Sequence, residues 1–232
     1  MKILALESSA KAASCAVLAD GELLASAWQA AGLTHSRTLL PMVEGMLKNS
    51  ELTMEAMDAV AVAAGPGSFT GLRIGIAAVK GLAWAAEKPC IPVSTLEAMA
   101  WPLAHLEGSI VCAMDARRQQ IYNAVFLAES GELTRMREDR AISLLEARED
   151  LKDFDGTLTI VGDGAALCCN YMSLQGIDCQ LAPPHLRMQS AVGVGMAAER
   201  MGLGAAVSAQ ELEPVYLRLS QAERERLGRL RS

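Results

Sequence analysis

The chain has 232 residues, 51% of them apolar, and 27 acidic against 21 basic side chains give a net charge of −6. That is enough apolar material to bury a core as one large domain or two small ones. The acidic balance sets a field that repels nucleic acid and argues against a dedicated nucleic-acid-binding module, and no run approaches the roughly 18 apolar residues of a membrane span, the stretch 74–86 being broken by Lys80.

From Met1 the sequence enters a strand at once, residues 2–7, with neither an apolar signal core nor a small-residue cleavage site, so the expected location is the cytoplasm. Residues 14–18 and 23–28 read as two further strands, joined at the hairpin signal Asp20-Gly21. Residues 34–49 carry Leu39, Leu40, Val43, Met46 and Leu47 at helical spacing, with Pro41 acceptable only if the helix begins just before it. A short strand at 59–64, a glycine-rich turn at 65–71, a helix at 72–87 and a strand at 90–93 complete a β-β-β-α-β-α-β unit.

Ser94-Thr95-Leu96-Glu97 has the form of a capping box and starts a helix to about residue 105, and Gly108 offers a boundary. The segment after this boundary resembles the beginning of the chain. Ile110 to Asp115, a polar turn, Ile121 to Ala128 and Gly131-Glu132-Leu133 repeat the order of Ile3 to Glu7, a polar turn, Cys15 to Ala19 and Gly21-Glu22-Leu23. Glu7 and Asp115 lie 108 positions apart and the two Gly-Glu-Leu turns 110 apart. The chain reads as a duplication: two α/β lobes, 1–106 and 107–232, facing across a cleft, with the last segment packing back on the first lobe. In the second lobe Ser143-x-x-Glu146 caps a helix to about 152, residues 157–161 form a strand ending in Gly162-Asp163-Gly164, and 190–201 form a helix. The tail, with Arg218, Arg224, Arg226, Arg229 and Arg231, reads either as a solvated end or as an auxiliary RNA contact.

The sharpest segment for chemistry is Gly65-Pro66-Gly67-Ser68-Phe69-Thr70-Gly71-Leu72-Arg73-Ile74-Gly75. A glycine turn between strand and helix lets a ligand approach the backbone, which makes Gly65, Gly67, Ser68, Thr70 and Gly71 candidate contacts for a nucleotide or other anion. Spacing excludes a Walker A loop, a dinucleotide fingerprint and a nucleophile elbow. The other reading is structural: Ser68 or Thr70 caps the helix while Gly67, Gly71 and Gly75, four apart, clear one face for close packing, which would suit a partner helix. His35, His105 and His185 are isolated and form no helical metal pair, so no catalytic metal site is expected. Glu7 and Asp115, at strand ends, have the chemistry to hold Mg²⁺ or orient water, or to make turn hydrogen bonds. The six cysteines form no C-x-x-C and read as reduced thiols.

Ile3 to Ser9, His35-Ser36 with Leu39-Leu40-Pro41, Gly65 to Gly75, Met114-Asp115-Ala116-Arg117-Arg118 with Ile121-Tyr122, and Glu213-Pro214-Val215-Tyr216-Leu217-Arg218 occur in that order over nearly the whole chain. In this it resembles the TsaB (YeaZ) family. The resemblance implies a duplicated actin-like α/β fold and a non-catalytic role, with TsaD and the ATPase TsaE, in transferring threonylcarbamoyl from an adenylate to the adenosine beside the tRNA anticodon. A homodimer is expected when the chain is alone, tRNA is reached indirectly, and no cofactor of its own is expected, with ATP or ADP bound in the complex at this subunit, at its interface or only in the full assembly. The first-lobe helices are then the expected partner face, through His35, Leu39, Met42, Met46, Gly71, Gly75 and Ala78. The family usually carries Asp-Thr after the first strand where this chain has Glu7-Ser8, which lowers the rival reading of a nucleotide-dependent phosphotransferase.

Overall fold

A computed structural model of the chain describes residues 1–218. The arginine-rich tail beyond Arg218 falls outside the described residues. The first sheet is built from β1 (Lys2–Glu7), β2 (Ala13–Ala19), β3 (Glu22–Gln29), β4 (Ala59–Gly65) and β5 (Cys90–Ser94), in the order β3-β2-β1-β4-β5. The second uses β6 (Gly108–Asp115), β7 (Gln120–Glu129), β8 (Glu132–Ser143), β9 (Leu158–Val161) and β10 (Cys179–Leu181), in the order β10-β9-β6-β7-β8. In both, the first strand is central, an antiparallel meander lies on one side and parallel strands lie on the other. Even the hairpin turns match: Asp20 and Gly21 have φ of 52° and 84°, Ser130 and Gly131 of 53° and 81°, the double left-handed turn that suits a two-residue hairpin.

Among the described residues six α-helices clothe the sheets: α1 (His35–Asn49), α2 (Phe69–Ala85), α3 (Thr95–Ala100), α4 (Leu144–Leu151), α5 (Ala165–Leu174) and α6 (Ala191–Met201). Alternation along β1 sends Leu4 and Leu6 to the side of α1 and α2, where Leu39, Val43, Met46 and Val79 meet them. It sends Ile3 and Ala5 to the other side, where Ala98 of α3 and Val194, Ala197 and Ala198 of α6 cover them. Helix α3 is shared between lobes, since Leu96 and Met99 on its opposite side pack on Cys112, Met114 and Phe126 of the second sheet. The remaining face of that sheet is covered by α4 and α5 through Ala147, Leu151, Cys168 and Met172. All six cysteines are free, and among the described residues no helix is long and apolar enough to cross a membrane.

Several elements depart from the sequence reading. Helix α1 has the expected extent, but it holds Pro41 well inside it instead of beginning just before it. Arg37, whose carbonyl loses the i+4 amide, and Pro41 both lie on the exposed side of the helix. Helix α2 begins at Phe69 rather than residue 72, because Ser68 Oγ caps it by accepting from the Gly71 amide at 3.3 Å. Helix α3 ends at Ala100 and passes into a 3-10 turn, Trp101–Leu103. Its capping box is half made, because the Glu97 carboxylate turns to Arg135 at 2.6 Å. At Ser143 both halves of the box are present. Helix α5 and strand β10 were not anticipated.

Helix α6 reaches the first sheet closely enough that a Cβ on Gly193 would collide with the Ala98 carbonyl, and one on Gly195 with the Leu18 side chain. Gly193→Val should therefore overpack the α3–α6 contact and destabilise the chain by about 1–3 kcal/mol. Thermal melting would read this as a drop of roughly 3–10 °C for a chain of this size.

Candidate functional site

The glycine-rich segment folds inward onto the end of β1. The Ser68 amide donates to the Ser9 carbonyl at 2.6 Å, and the Ser8 hydroxyl donates to the Gly71 carbonyl at 2.9 Å. A Cβ on Gly67 would stand 2.7 Å from Ser9 Cβ, one on Gly75 would stand 2.5 Å from Ser8 Oγ, and one on Gly71 would overlap the Ser8 carbonyl. The ladder Gly67, Gly71 and Gly75 therefore faces this chain's own first strand, and the expectation that Gly71 and Gly75 meet a partner helix is corrected. Leu39 and Met46, 1% and 6% exposed, are also core residues and not surface contacts. Met42 and Ala78 are half-buried at the edge of the same core, and the His35 ring is hydrogen-bonded to the Ala10 carbonyl at 2.8 Å. Of the candidate anion contacts, Gly67, Ser68 and Thr70 line the cleft between the lobes. Gly65 packs against the Val215 carbonyl and Gly71 against Ser8, so neither opens to it.

The cleft encloses about 620 Å³, with Ser9, Lys11 and the start of α2 on one wall, Asp115, Arg117 and Asp163 on the other, and Tyr216 and Arg218 across its mouth. The two strand-end acids make equivalent turn hydrogen bonds. Glu7 Oε1 accepts from the Ser9 amide at 2.5 Å, and Asp115 Oδ1 accepts from the Arg117 amide at 2.7 Å. Their surroundings differ, since Glu7 is fully buried and Asp115 exposed. Burial pushes the Glu7 carboxyl up to about 7, against the pull of the hydrogen bonds from Ser9. Its Oε2, like Ser9 Oγ and Gln189 Oε1, has no hydrogen-bond partner among the described residues. Asp163 is also raised by burial, opposed by the Gln189 amide at 3.2 Å and by Lys11. Among the described residues no three His, Cys, Asp or Glu side chains are placed to hold a metal ion. The Glu7 carboxyl is thus sealed from solvent beside Ser9, and it is Ser9, not Glu7, that lines the cleft.

A strap formed by residues 213–218 closes this region. The Val215 amide donates to the Ala64 carbonyl at 2.7 Å. Tyr216 stacks on Phe69 with centroids 4.4 Å apart, Arg73 lies 4.0 Å over Phe69, and Arg73 Nε donates to the Tyr216 hydroxyl at 3.1 Å. Arg218 then crosses to the second lobe and donates to the Ala116 carbonyl. Sequence reasoning missed the parts played by Phe69, Arg73 and Tyr216, because the partners are far apart in the chain. A second surface lies on the outer side of α1 and α2. Trp84 is 75% exposed and Leu40 46%, and a Cβ on either Gly45 or Gly81 would meet nothing within 4 Å among the described residues.

Residues 29–223 match the family model for TsaD, tRNA N6-adenosine threonylcarbamoyltransferase. The chain is 34% identical over 228 residues to the tRNA threonylcarbamoyladenosine biosynthesis protein TsaB of Haemophilus influenzae, covering 94% of each chain. Among solved structures, YeaZ from Pseudomonas aeruginosa is similar at a TM-score of 0.77 and 28% identity, over 93% of this chain and 99% of that one. Component A of the Acidaminococcus fermentans (R)-2-hydroxyglutaryl-CoA dehydratase shares the fold alone, at a TM-score of 0.51 and 12% identity, over 87% of this chain and 98% of that one.

The buried Glu7 makes stability depend on pH. Its carboxyl is raised from 4.5 to about 7 in the fold, so the native state binds the extra proton between those values. Its stabilising share is complete below pH 4.5 and is lost as pH rises through 7, a loss of ~3 kcal/mol. Glu7→Gln keeps the acceptor for Ser9 and removes the titration. Melting curves from pH 5 to 8 should therefore show the variant gaining on the parent as pH rises, and parallel curves would contradict this account.

Proposed function

Because the chain belongs to the TsaB family of tRNA threonylcarbamoyladenosine biosynthesis proteins, we propose that it acts there as a non-catalytic subunit docked on the transferase TsaD, with TsaE as the ATPase of the set. The observation that carries this reading is the outer face of α1 and α2. Glycine inside a helix costs about 1 kcal/mol relative to alanine, and among the described residues Gly45 and Gly81 have no neighbour to justify that cost. A partner helix approaching the bare backbone provides the justification, with the exposed Trp84 beside it as an apolar anchor. The same face serves a second copy of this chain when TsaD is absent. It replaces the inward-facing Gly71 and Gly75 as the contact surface and keeps Met42 and Ala78 at its margin.

The sealed Glu7 carboxyl supports leaving the chemistry to TsaD. Nucleotide, in this reading, is handled by the assembled complex. The test is threonylcarbamoyl transfer to unmodified tRNA, reconstituted from TsaD, TsaE, the adenylate-forming enzyme and ATP, with and without this chain. Transfer should require it and should fail when it replaces TsaD; full transfer without it would overturn the reading. Gly81→Arg should weaken association with TsaD at least tenfold, as read by co-elution, with an unchanged melting temperature. Gly75→Leu should instead lower the melting temperature itself, because its side chain meets Ser8.

A further inference from the structure

The rim of the cleft is basic although the chain as a whole is acidic. Lys11 lies in the turn after β1 and Arg117 and Arg118 in the equivalent turn after β6, so both halves of the duplication offer cations from equivalent turns. Arg218 joins them by donating to the Ala116 carbonyl beside Arg117. The cleft of about 620 Å³ and a neighbouring cavity of about 440 Å³ share Arg218 as a wall, and Arg118 lines the second, so the cations border an open groove instead of one enclosed pocket. Among the described residues the side-chain ion pairs use Arg135, Arg137, Arg140, Arg148, Lys152 and Arg200. None of those pairs involves Lys11, Arg117 or Arg118.

The backbone that carries the arginines is strained. Arg117, Arg118 and Gln119 have φ of 62°, 56° and 57°, three successive left-handed residues with no glycine among them. Such a conformation costs roughly 1–2 kcal/mol per residue, and strain of this kind gathers where a side chain must be aimed. The Asp115 carboxylate holds the start of the run through the Arg117 amide at 2.7 Å, and Arg117 and Arg118 are both exposed.

We propose that this basic rim binds the phosphodiester backbone of RNA, so that the tRNA substrate touches this subunit directly; the proposal rests on the assignment to the tRNA-modifying complex. The distribution of charge favours a chain crossing the mouth over nucleotide phosphates entering the cleft. The Asp115 and Asp163 carboxylates line the cleft and would repel a phosphate inside it, whereas Arg117 and Arg118 are exposed.

The experiment measures unmodified tRNA binding to this chain complexed with TsaD, between about 50 and 200 mM salt. Glycine tolerates left-handed backbone, so the Arg117→Gly, Arg118→Gly double variant removes two charges while easing the strain. The variant should bind tRNA at least tenfold more weakly at low salt, with a log affinity against log salt slope shallower by about 1.5, while its melting temperature does not fall. Lys11→Glu, from the opposite lobe, should weaken binding in the same direction. Unchanged tRNA affinity and slope in both variants would overturn the site, as would loss of ATP binding with tRNA binding intact. Either outcome leaves the subunit assignment standing, since that is read separately from the requirement for this chain in transfer.

Discussion

Ser8 and Ser9, just past the end of β1, lie against α2 with no space for a side chain between them. Three glycines one helical turn apart make that approach possible, and the serines fill it with backbone and hydroxyl contacts. Helix α2 is thereby fixed over the first sheet, with Val79 and Ala83 carried into the core. Phe69, at the head of the helix, becomes the platform on which Tyr216 stacks. Covering the two serines also shuts the Glu7 carboxylate away from water, the cause of its raised pKa. The cleft wall, the strap and the buried acid thus all depend on one close contact.

The second lobe uses the same device with a different outcome. Gly162 presses on the Ala113 carbonyl, and a Cβ on Gly164 would stand 2.7 Å from the Asp115 amide, so a glycine loop again closes on the end of the central strand. Here the loop carries Asp163, whose Oδ1 accepts from the Asp115 amide at 3.4 Å, and the strand-end acid itself remains exposed. Two copies of one actin-like unit have diverged into a sealed side and an open side.

Much of this organisation was legible in the sequence, because it rests on local signals. The meanders, the turns at Asp20-Gly21 and Ser130-Gly131, the Ser143 box and the duplication are all written in short stretches. The glycine ladder was visible as a ladder, but spacing along a helix names a face without naming what that face meets. Its partner, Ser8, lies about sixty residues earlier. Helix α5 was passed over because its sequence, Ala-Ala-Leu-Cys-Cys-Asn-Tyr-Met-Ser-Leu, is apolar on nearly every side and carries no cap, its N-cap being Gly164 without a side-chain bond. The left-handed run at Arg117 to Gln119 carries no glycine to announce it. The strap is legible only after folding, since each of its contacts joins distant segments.

Helix α6 has a consequence for how the protein is made. One face of the first sheet, with Ile3, Ala5, Ala16 and Leu18, is covered in large part by residues that begin at Ala191. Ribosomes add roughly 5–20 residues per second, so that face waits on the order of 10–40 s for its cover after its own strands have been synthesised. The nascent first lobe is therefore a half-finished sheet with an apolar side open to the cell. A chaperone holding that side during translation, or a codon pattern that hastens passage through the second lobe, would act on the step at which this chain is most exposed to aggregation.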